Sequence, residues 1–360
     1  MLGRFAAPLL KVLTAPNDPD RYLEMINPVW SLNEVRATIT ETRHPAPGSV
    51  TLLLRPNRNW LGFRAGQHVA LTIDVHGVRR TRCYSLACSA HGTDGLLELT
   101  VAAERDGVVS GHLNSDVRVG IVVRLSQAQG RFLLPAPRPE RIVLISGGSG
   151  ITPAMSMLRT LCDEGYADGP GEVTFLHYAR TAAAVAYRHE LATLAAEHSS
   201  VRLLRSYTRS NGGERCGRFD PRHLPVIDDR TATWVCGPAG LVDAVRAHWA
   251  EIGMSDALQT EQFTAPVPAA PADDGEPYGE VHFTASDRTV ANTGAVLLEQ
   301  AESIGLRPEF GCRMGICLTC TSRKTAGSVR HLHTGELSSE PDSEIQICST
   351  VPVGDVTVDL

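Results

Sequence analysis

The chain has 360 residues, of which 42% are hydrophobic, and its formal net charge is −6. A chain of this length can bury two or three hydrophobic cores, and its modest negative charge argues against a nucleic-acid-binding face. Its nine cysteines do not form the dense, even framework of a small secreted domain, so we expect a reducing, cytoplasmic location.

Residues 1–30 form an N-terminal arm ahead of the first domain pattern. Its first 13 residues are mildly apolar with Arg4 and Lys11, but they lack the basic start, apolar run and cleavage site of a signal peptide. We expect a short helix or a frayed arm there, and contact with a membrane surface is the alternative. The sequence has no run of about 18 apolar residues, so we expect no membrane span.

Residues 31–137 have the pattern of a small antiparallel β-barrel. Short apolar and β-branched segments alternate there with Gly, Asn, Asp and Pro, as strands alternate with turns. The predicted strands are residues 49–54, 68–75, 81–87, 96–103, 121–125 and 131–134.

Two short motifs in this region suggest a site for a phosphorylated cofactor. Residues 82–85 read R-C-Y-S and place a guanidinium, a phenol and a hydroxyl at one strand end, although an Arg and a Tyr on a strand are more often surface and core. Gly107 and Ser110 precede a predicted helix at residues 111–114, and free amides at a helix start favour phosphate.

Residues 138–263 alternate apolar runs with helical stretches. The predicted strands are residues 142–145, 173–176, 201–204 and 233–235, and the predicted helices include residues 152–162 and 187–198. Such alternation predicts a parallel, doubly wound α/β sheet.

A glycine-rich turn follows the first of these strands, where residues 146–153 read S-G-G-S-G-I-T-P. Glycines in such a turn let the backbone approach a pyrophosphate, and a proline suits the first turn of the next helix. The candidate binding residues here are Gly147, Gly148, Gly150, Thr152 and Pro153. A later strand ends in Cys236, Gly237 and Pro238, at the sheet edge where ligands collect, although a cysteine there is also a common core residue.

The choice of nicotinamide cofactor depends on the residues that follow the second strand. Arg180 stands there, without the acidic residue that favours NAD, so we predict NADPH, with NADH as the alternative. Arg205 and Arg209 would add positive charge. At the end of the region, Phe263 either covers a flavin or is a core aromatic.

Residues 264–277 are rich in Pro and Ala, which predicts an extended linker. In the following unit, residues 278–360, four cysteines have the spacing C-x4-C-x2-C, with the fourth 28 positions on. The predicted ligands are Cys312, Cys317, Cys320 and Cys348. This is the plant-type 2Fe-2S pattern. Zinc is the alternative, although zinc sites usually consist of two short pairs.

Together these motifs resemble the ferredoxin–NADP reductase family, with a plant-type ferredoxin domain at the C-terminus. The resemblance implies an antiparallel β-barrel FAD domain, a doubly wound α/β nicotinamide domain and an α+β β-grasp 2Fe-2S ferredoxin domain. In that family the R-x-Y-S strand holds the flavin and a G-x-x-S turn holds a diphosphate, which implies FAD. The residues assigned to flavin in this way are Arg82, Tyr84, Ser85, Gly107 and Ser110, with residues 101–103 beside them. Ser85 and Cys236 would lie near the reacting atoms as positioning groups.

The resemblance also implies an oxidoreductase that passes electrons from NADPH through FAD and the cluster to a one-electron protein acceptor. Residues 27–30, N-P-V-W, are similar to a segment of bacterial reductases that serve membrane di-iron fatty-acid desaturases or alkane hydroxylases. We therefore expect such an acceptor, with peripheral contact to a membrane-bound partner. A Rieske-type oxygenase or a haem monooxygenase is the alternative acceptor. A hypothesis of another class is a binding or sensing module that holds zinc and keeps the nucleotide folds as scaffold.

Overall fold

The computed structural model describes residues 19–105, 107–169, 171–263, 277–311, 313, 315, 319–332 and 335–360. The chain consists of two compact units, with the boundary between Phe263 and Thr264. In the described ranges, no helix is both long and apolar enough to cross a bilayer. The predictions for residues 1–13 and for the linker at residues 264–276 lie outside the described residues.

The first unit begins with helix α1 (Pro19–Ile26) and an antiparallel sheet. Within residues 19–169 as described, its strands are β1 (Val35–Arg43), β2 (Ser49–Pro56), β3 (His68–Val75), β4 (Val78–Ser85), β5 (Leu97–Ala102) and β6 (Val122–Leu125), with helix α2 (Val108–Ser115) between the last two. The strand order is β4-β3-β6-β1-β2-β5. Inward side chains such as Ile39, Leu52 and Leu99 form one core, because alternate residues of a strand share a face.

Two predictions for this barrel were wrong in detail. Strand β1 was missed because its apolar residues alternate with charged and hydroxyl side chains, which lowers the hydrophobicity of the segment. Residues 131–134 form no strand; Phe132 and Leu134 are instead buried in the core of the α/β sheet that follows. Phe132 and Leu134 are therefore apolar because they pack against the next domain, not because they belong to a barrel strand.

The second sheet of this unit is parallel throughout. Its strands are β7 (Arg141–Gly147), β8 (Glu172–Ala179), β9 (Val201–Tyr207), β10 (Arg215–Cys216), β11 (Thr231–Gly237) and β12 (Leu258–Gln262), and its helices are α3 (Ile151–Asp163), α4 (Arg188–Glu197) and α5 (Ala239–Glu251). The order β10-β9-β8-β7-β11-β12 places β7 where the strand order reverses. Separate cores cover the two faces of the sheet, one around Phe175 and one around Trp249. This confirms the predicted doubly wound α/β domain.

The second unit is a mixed sheet with one described helix across it. Its elements are β13 (Glu280–Phe283), β14 (Arg288–Ala291), α6 (Leu297–Ser303), β15 (Thr321–His331), β16 (Leu337–Ser338), β17 (Ser343–Gln346) and β18 (Thr350–Val358). The order is β14-β13-β18-β15-β16, with β17 also paired to β15. Strands β13 and β18 are parallel, and Leu297, Leu298 and Ala301 of α6 are buried in the core. This is the predicted α+β arrangement.

Candidate functional site

A cavity of about 850 Å³ lies in the first unit, at the carboxyl ends of β7, β8 and β11. Open α/β sheets bind ligands at this edge, where the strand order reverses. The other wall comes from the barrel, through residues 46–49 and through Thr100 and Ala102 of β5. The cavity therefore lies between the two domains that the sequence assigns to flavin and nicotinamide.

The glycine-rich turn forms the part of the cavity wall that belongs to the sheet. Strand β7 ends at Gly147, a 3-10 turn follows, and α3 begins at Ile151. A Cβ atom on Gly150 would lie 2.2 Å from the carbonyl oxygen of Cys236, so a side chain there would prevent the turn from packing against the end of β11. Thr152 donates a hydrogen bond to the Ser149 carbonyl at 3.2 Å, and Pro153 is buried in the first turn of α3. Gly147, Gly148, Thr152 and Pro238 line the cavity.

Two arginines lie at the same cavity. Arg180 follows β8, as predicted, and Arg218 lies in the loop after β10. Among the described residues, no carboxylate forms an ion pair with either guanidinium. The sequence analysis missed Arg218; its signal was a positive charge directly after a glycine in the G-R-F segment. Arg205, by contrast, forms an ion pair with Glu214 at 2.5 Å, so a carboxylate already neutralises its charge.

The R-C-Y-S residues lie at the end of β4, and none of them is among the residues that line the cavity; their contact with a flavin stays a prediction. Arg82 is half-buried on β4, and burial raises the pKa of Tyr84 well above its usual range. Ser85 is the last residue of β4; it is 4% exposed, and its Oγ has no hydrogen-bond partner among the described residues. Because buried polar atoms are nearly always paired, this hydroxyl fits a site that a polar cofactor such as a flavin completes.

The residues of the G-x-x-S turn are hydrogen-bonded to one another and to Glu104, which lies shortly before the turn. Gly107 precedes α2, and the Ser110 hydroxyl accepts a hydrogen bond from the Glu104 amide at 3.1 Å and donates to the Gly107 carbonyl at 3.3 Å. A Cβ on Gly107 would meet the Ser110 oxygen at 2.3 Å. The glycine and the serine therefore shape the turn through each other, and diphosphate binding by its amides stays a prediction.

A buried polar cluster joins the barrel to the end of the parallel sheet. His68 on β3 pairs with Ser85 in the barrel register, and its Nδ1 lies 3.9 Å from Oε1 of Glu261 on β12. Glu261 in turn pairs with Cys236 in the parallel register. The two predicted positioning residues, Ser85 and Cys236, thus belong to one cluster. Sequence analysis missed His68 entirely, since nothing in its local pattern indicates a partner on β12.

Cys236 itself is part of the core. It is 1% exposed and packs in the cluster on one face of the sheet, and burial raises the pKa of its thiol well above the usual range. A neutral thiol of this kind cannot act as a nucleophile, and its position beside the nicotinamide stays a prediction. Phe263 packs partly buried against the same core, which matches the alternative of a core aromatic.

We expect Glu261 to be protonated at neutral pH. Burial raises the pKa of its carboxyl to about 8, and His68 and Cys236 are the titratable groups beside it. Infrared difference spectroscopy of the wild-type protein should show the C=O stretch of a protonated carboxyl that disappears as the pH rises through about 8. Glu261→Gln should lack this band, and a band that persists in the variant would assign it to another residue.

The same pKa shift has a consequence for stability. Between the ordinary pKa of 4.5 and the folded value of about 8, the folded state binds a proton that the unfolded state has released. The free energy of unfolding therefore falls as the pH rises through this window. Urea unfolding of the wild type should show this fall relative to Glu261→Gln, and identical pH profiles would contradict the shift.

In the second unit, two of the four predicted cluster ligands are described. Cys320 and Cys348 are 2% and 3% exposed, and the backbone N–H of Gly315 donates to Sγ of Cys348 at 3.2 Å. Such N–H···S bonds stabilise thiolates in iron–sulfur sites, so the described residues fit a cluster. Gly315 has φ of 73°, a left-handed conformation that glycine adopts without strain. Cys312 and Cys317 lie outside the described residues.

Three protein-family models match successive parts of the chain. The oxidoreductase FAD-binding domain matches residues 49–133, the oxidoreductase NAD-binding domain matches residues 144–247, and the 2Fe-2S iron-sulfur cluster binding domain matches residues 281–353. These matches confirm the predicted FAD, NAD(P)H and 2Fe-2S cofactors.

Similar proteins match this chain over most of its length. An NADPH oxidoreductase of Mycobacterium tuberculosis is 39% identical over 352 residues, which is 97% of this chain and 90% of the relative. The glycine betaine monooxygenase reductase subunit of Pseudomonas aeruginosa is 28% identical over 82% of this chain and 87% of that subunit. The structure of phthalate dioxygenase reductase matches with a TM-score of 0.59 and 22% identity, over 91% of this chain and 98% of that chain, which supports the fold.

Proposed function

Because this chain belongs to the family of oxidoreductases that combine FAD-binding, NAD-binding and 2Fe-2S domains, we propose that it delivers electrons from NADPH to an oxygen-activating enzyme. The observation that carries the proposal is a chain of neighbouring residues. Ser85 pairs with His68 in the barrel register, His68 lies 3.9 Å from Glu261, and Glu261 pairs with Cys236 in the parallel register. This cluster joins the strand assigned to flavin to the strand end assigned to nicotinamide. Two redox cofactors bound at these strands would lie next to each other.

In this proposal the protein supplies binding and orientation. The glycine-rich turn and Arg180 hold the nucleotide, and Arg82, Tyr84 and Ser85 hold the flavin. FAD, when bound, converts the two-electron chemistry of a nicotinamide into one-electron chemistry that suits an iron–sulfur cluster. The neutral carboxyl of Glu261 keeps the buried site free of a negative charge at pH 7, because an isolated charge is strongly disfavoured in an apolar interior.

An anaerobic absorbance titration with NADPH and NADH, followed by low-temperature electron paramagnetic resonance, tests this function. We expect the flavin absorbance to bleach and a reduced 2Fe-2S signal to appear. A colourless protein would overturn the proposal and favour a binding module that holds zinc. A flavin that is reduced while no cluster signal develops would mean that the four cysteines do not hold a 2Fe-2S cluster.

The preference for NADPH rests on Arg180 and Arg218. A 2′-phosphate accepts charge-assisted hydrogen bonds from a guanidinium, and both arginines line the cavity without a carboxylate partner among the described residues. The relative from Mycobacterium tuberculosis carries the name NADPH oxidoreductase, which supports the same choice.

Arg180→Ala is expected to raise the KM for NADPH by about 10- to 100-fold, as follows from the loss of hydrogen bonds between charged groups. The KM for NADH should change little, since NADH lacks the 2′-phosphate. Steady-state kinetics with both nucleotides measures this. Arg202→Ala is the control, because Arg202 is exposed on β9 and does not line the cavity. An equal effect of Arg180→Ala on both nucleotides would remove the reason to prefer NADPH.

For the acceptor, we propose a membrane di-iron desaturase or hydroxylase. Three apolar side chains of α1, Tyr22, Met25 and Ile26, are exposed on one helix face, and Trp30 is exposed beyond it. Asp20 accepts hydrogen bonds from the Ser31 hydroxyl and the Leu32 amide in the segment that leads into the barrel. The helix is fixed to the barrel itself by an ion pair between Glu24 and Arg36 of β1 at 3.3 Å. Exposed apolar and aromatic groups on a fixed element suit a surface at the membrane interface.

A soluble monooxygenase is the second candidate acceptor, favoured by the name of the glycine betaine monooxygenase reductase subunit. The two acceptors can be compared by NADPH oxidation in the presence of a stearoyl desaturase in proteoliposomes or a soluble Rieske-type oxygenase. We expect NADPH oxidation to be stimulated by the desaturase. The rate of this oxidation should be lower in the double variant that carries both Met25→Ser and Ile26→Ser. Turnover with the soluble oxygenase alone would select the second candidate.

A further inference from the structure

Helix α3, which follows the glycine-rich turn, is hydrogen-bonded along one face to the barrel. Ser156 donates to the Cys88 carbonyl at 2.7 Å, and Arg159 donates to the Ala87 carbonyl at 2.7 Å. The Thr160 hydroxyl accepts from the Ala90 amide at 3.0 Å. Residues 87–90 follow the R-C-Y-S strand, which ends at Ser85, after one intervening residue. The helix that starts at the nucleotide turn is therefore fixed to the segment that continues the flavin strand.

Arg159 has the most contacts on this face. Its Nη1 donates to Oε1 of Glu98 on β5 at 2.9 Å, and its Nε and Nη2 donate to the two carboxylate oxygens of Glu190 on α4, at 2.6 and 2.7 Å. The arginine side chain is 15% exposed. A planar guanidinium that binds three elements in fixed directions restricts their relative positions more than a lysine could.

Tyr187 extends this contact to the cavity wall. The Arg159 guanidinium lies 5.0 Å from the centre of the Tyr187 ring, and the Tyr187 hydroxyl is hydrogen-bonded to the Thr100 hydroxyl. Thr100 is also bonded to Thr51 at 2.6 Å and lines the cavity. Tyr187 has a φ of 61°, an uncommon conformation for a large residue, which persists where surrounding contacts hold it.

We propose that Arg159 and Tyr187 are positioning residues that set the distance between the nicotinamide and the flavin. Arg159 fixes α3 and its glycine turn against the barrel, and Tyr187 fixes Thr100 at the opposite wall of the cavity. The inference rests on the proposed function, since it concerns hydride transfer between the two cofactors. Such transfer requires reacting atoms about 3 to 3.5 Å apart, and a misplacement of about 1 Å can lower the rate about 100-fold.

A structural role alone predicts a different result. If the contacts serve only stability, their loss would reduce the amount of folded protein and leave the rate per bound flavin unchanged. A positioning role predicts a slower rate in protein that is folded and fully loaded with flavin. It also predicts a change in the absorbance that arises when NADP⁺ stacks on the oxidised flavin, which is measured without turnover.

The experiment uses the purified holoenzyme and the variants Arg159→Lys and Tyr187→Phe. Anaerobic stopped-flow absorbance gives the rate of flavin reduction at saturating NADPH, and a titration with NADP⁺ gives the long-wavelength charge-transfer absorbance. We expect full flavin content, a rate about 10- to 100-fold lower, and a weaker charge-transfer band. Arg141→Lys is the control: Arg141 pairs with Asp228 at 2.6 Å and Glu172 at 3.2 Å, but it lies at the amino end of β7.

An unchanged rate and an unchanged charge-transfer band in flavin-loaded variants would overturn the inference. If Arg159→Lys fails to fold, Tyr187→Phe decides, because it removes one hydroxyl and keeps the ring. A wild-type protein whose flavin neither NADPH nor NADH reduces would instead refute the proposed function. An equal rate decrease in Arg141→Lys would show a general effect of domain stability and would also overturn the inference.

Discussion

Replacing Cys348 with serine is expected to abolish electron delivery to one-electron protein acceptors while reduction of the flavin by NADPH continues. Cys348 is 3% exposed and its sulfur accepts a hydrogen bond from the Gly315 amide. A hydroxyl is a harder ligand that stays protonated near pH 7, so the cluster would lose one thiolate. Changes to outer-shell partners of a metal already reduce affinity about 10- to 100-fold, and loss of a ligand should exceed this.

The measurement compares two acceptors of the same NADPH-reduced protein. Cytochrome c reduction should fall to background, and ferricyanide reduction, which the flavin supports directly, should stay close to the wild-type rate. The two reactions separate because the cysteine belongs to the second compact unit, which has its own core. Cys216→Ser is the matched control, since Cys216 is exposed on β10. Loss of both reactions in Cys348→Ser would contradict the assignment of separate sites.

The second large effect is expected at the glycine-rich turn, in Gly150→Ala. The backbone of Gly150 has ordinary helical angles, so the conformation itself would accept alanine. The added Cβ, however, would lie 2.2 Å from the Cys236 oxygen and 2.7 Å from the Gly237 nitrogen. Backbone atoms cannot move aside as the end of a flexible side chain can, so the turn and the end of β11 must separate.

We expect Gly150→Ala to weaken NADP⁺ binding by more than about 100-fold, because a displaced turn loses hydrogen bonds to the charged pyrophosphate, each of which contributes about 1.5 to 3 kcal/mol. Isothermal titration with NADP⁺ measures the affinity, and the flavin content should stay near wild type because the barrel is untouched. Gly169→Ala serves as the control: its Cβ would make ordinary contacts at 3.6 Å, and Gly169 precedes the amino end of β8. Normal NADP⁺ affinity in Gly150→Ala would show that the turn does not form the nucleotide site.

The sequence predicted the inner strands of the parallel sheet better than the strands of the barrel. Strands β7, β8, β9 and β11 of the parallel sheet were predicted because a strand covered on both faces is a continuous apolar run, as in β7 with buried residues from Ile142 to Gly147. The two edge strands, β10 and β12, were not predicted. Strand β1 was missed because it is covered on one face and its other residues are charged or hydroxyl. Residues 131–134 were assigned to a strand because burial against another domain produces the same apolar run.

By itself, the sequence determined the cofactors of this protein and the order of its domains. Each motif, from R-C-Y-S to the S-G-G-S-G-I-T-P turn and the four cysteines, is local, because the turn or strand end that binds a group requires particular residue types at short spacing. The tertiary structure alone decided which distant residues meet: His68 with Glu261, Arg159 with Glu98, and Arg218 with Arg180 at one cavity. Such pairs depend on how strands far apart in the chain are brought into contact, and no local pattern encodes that contact.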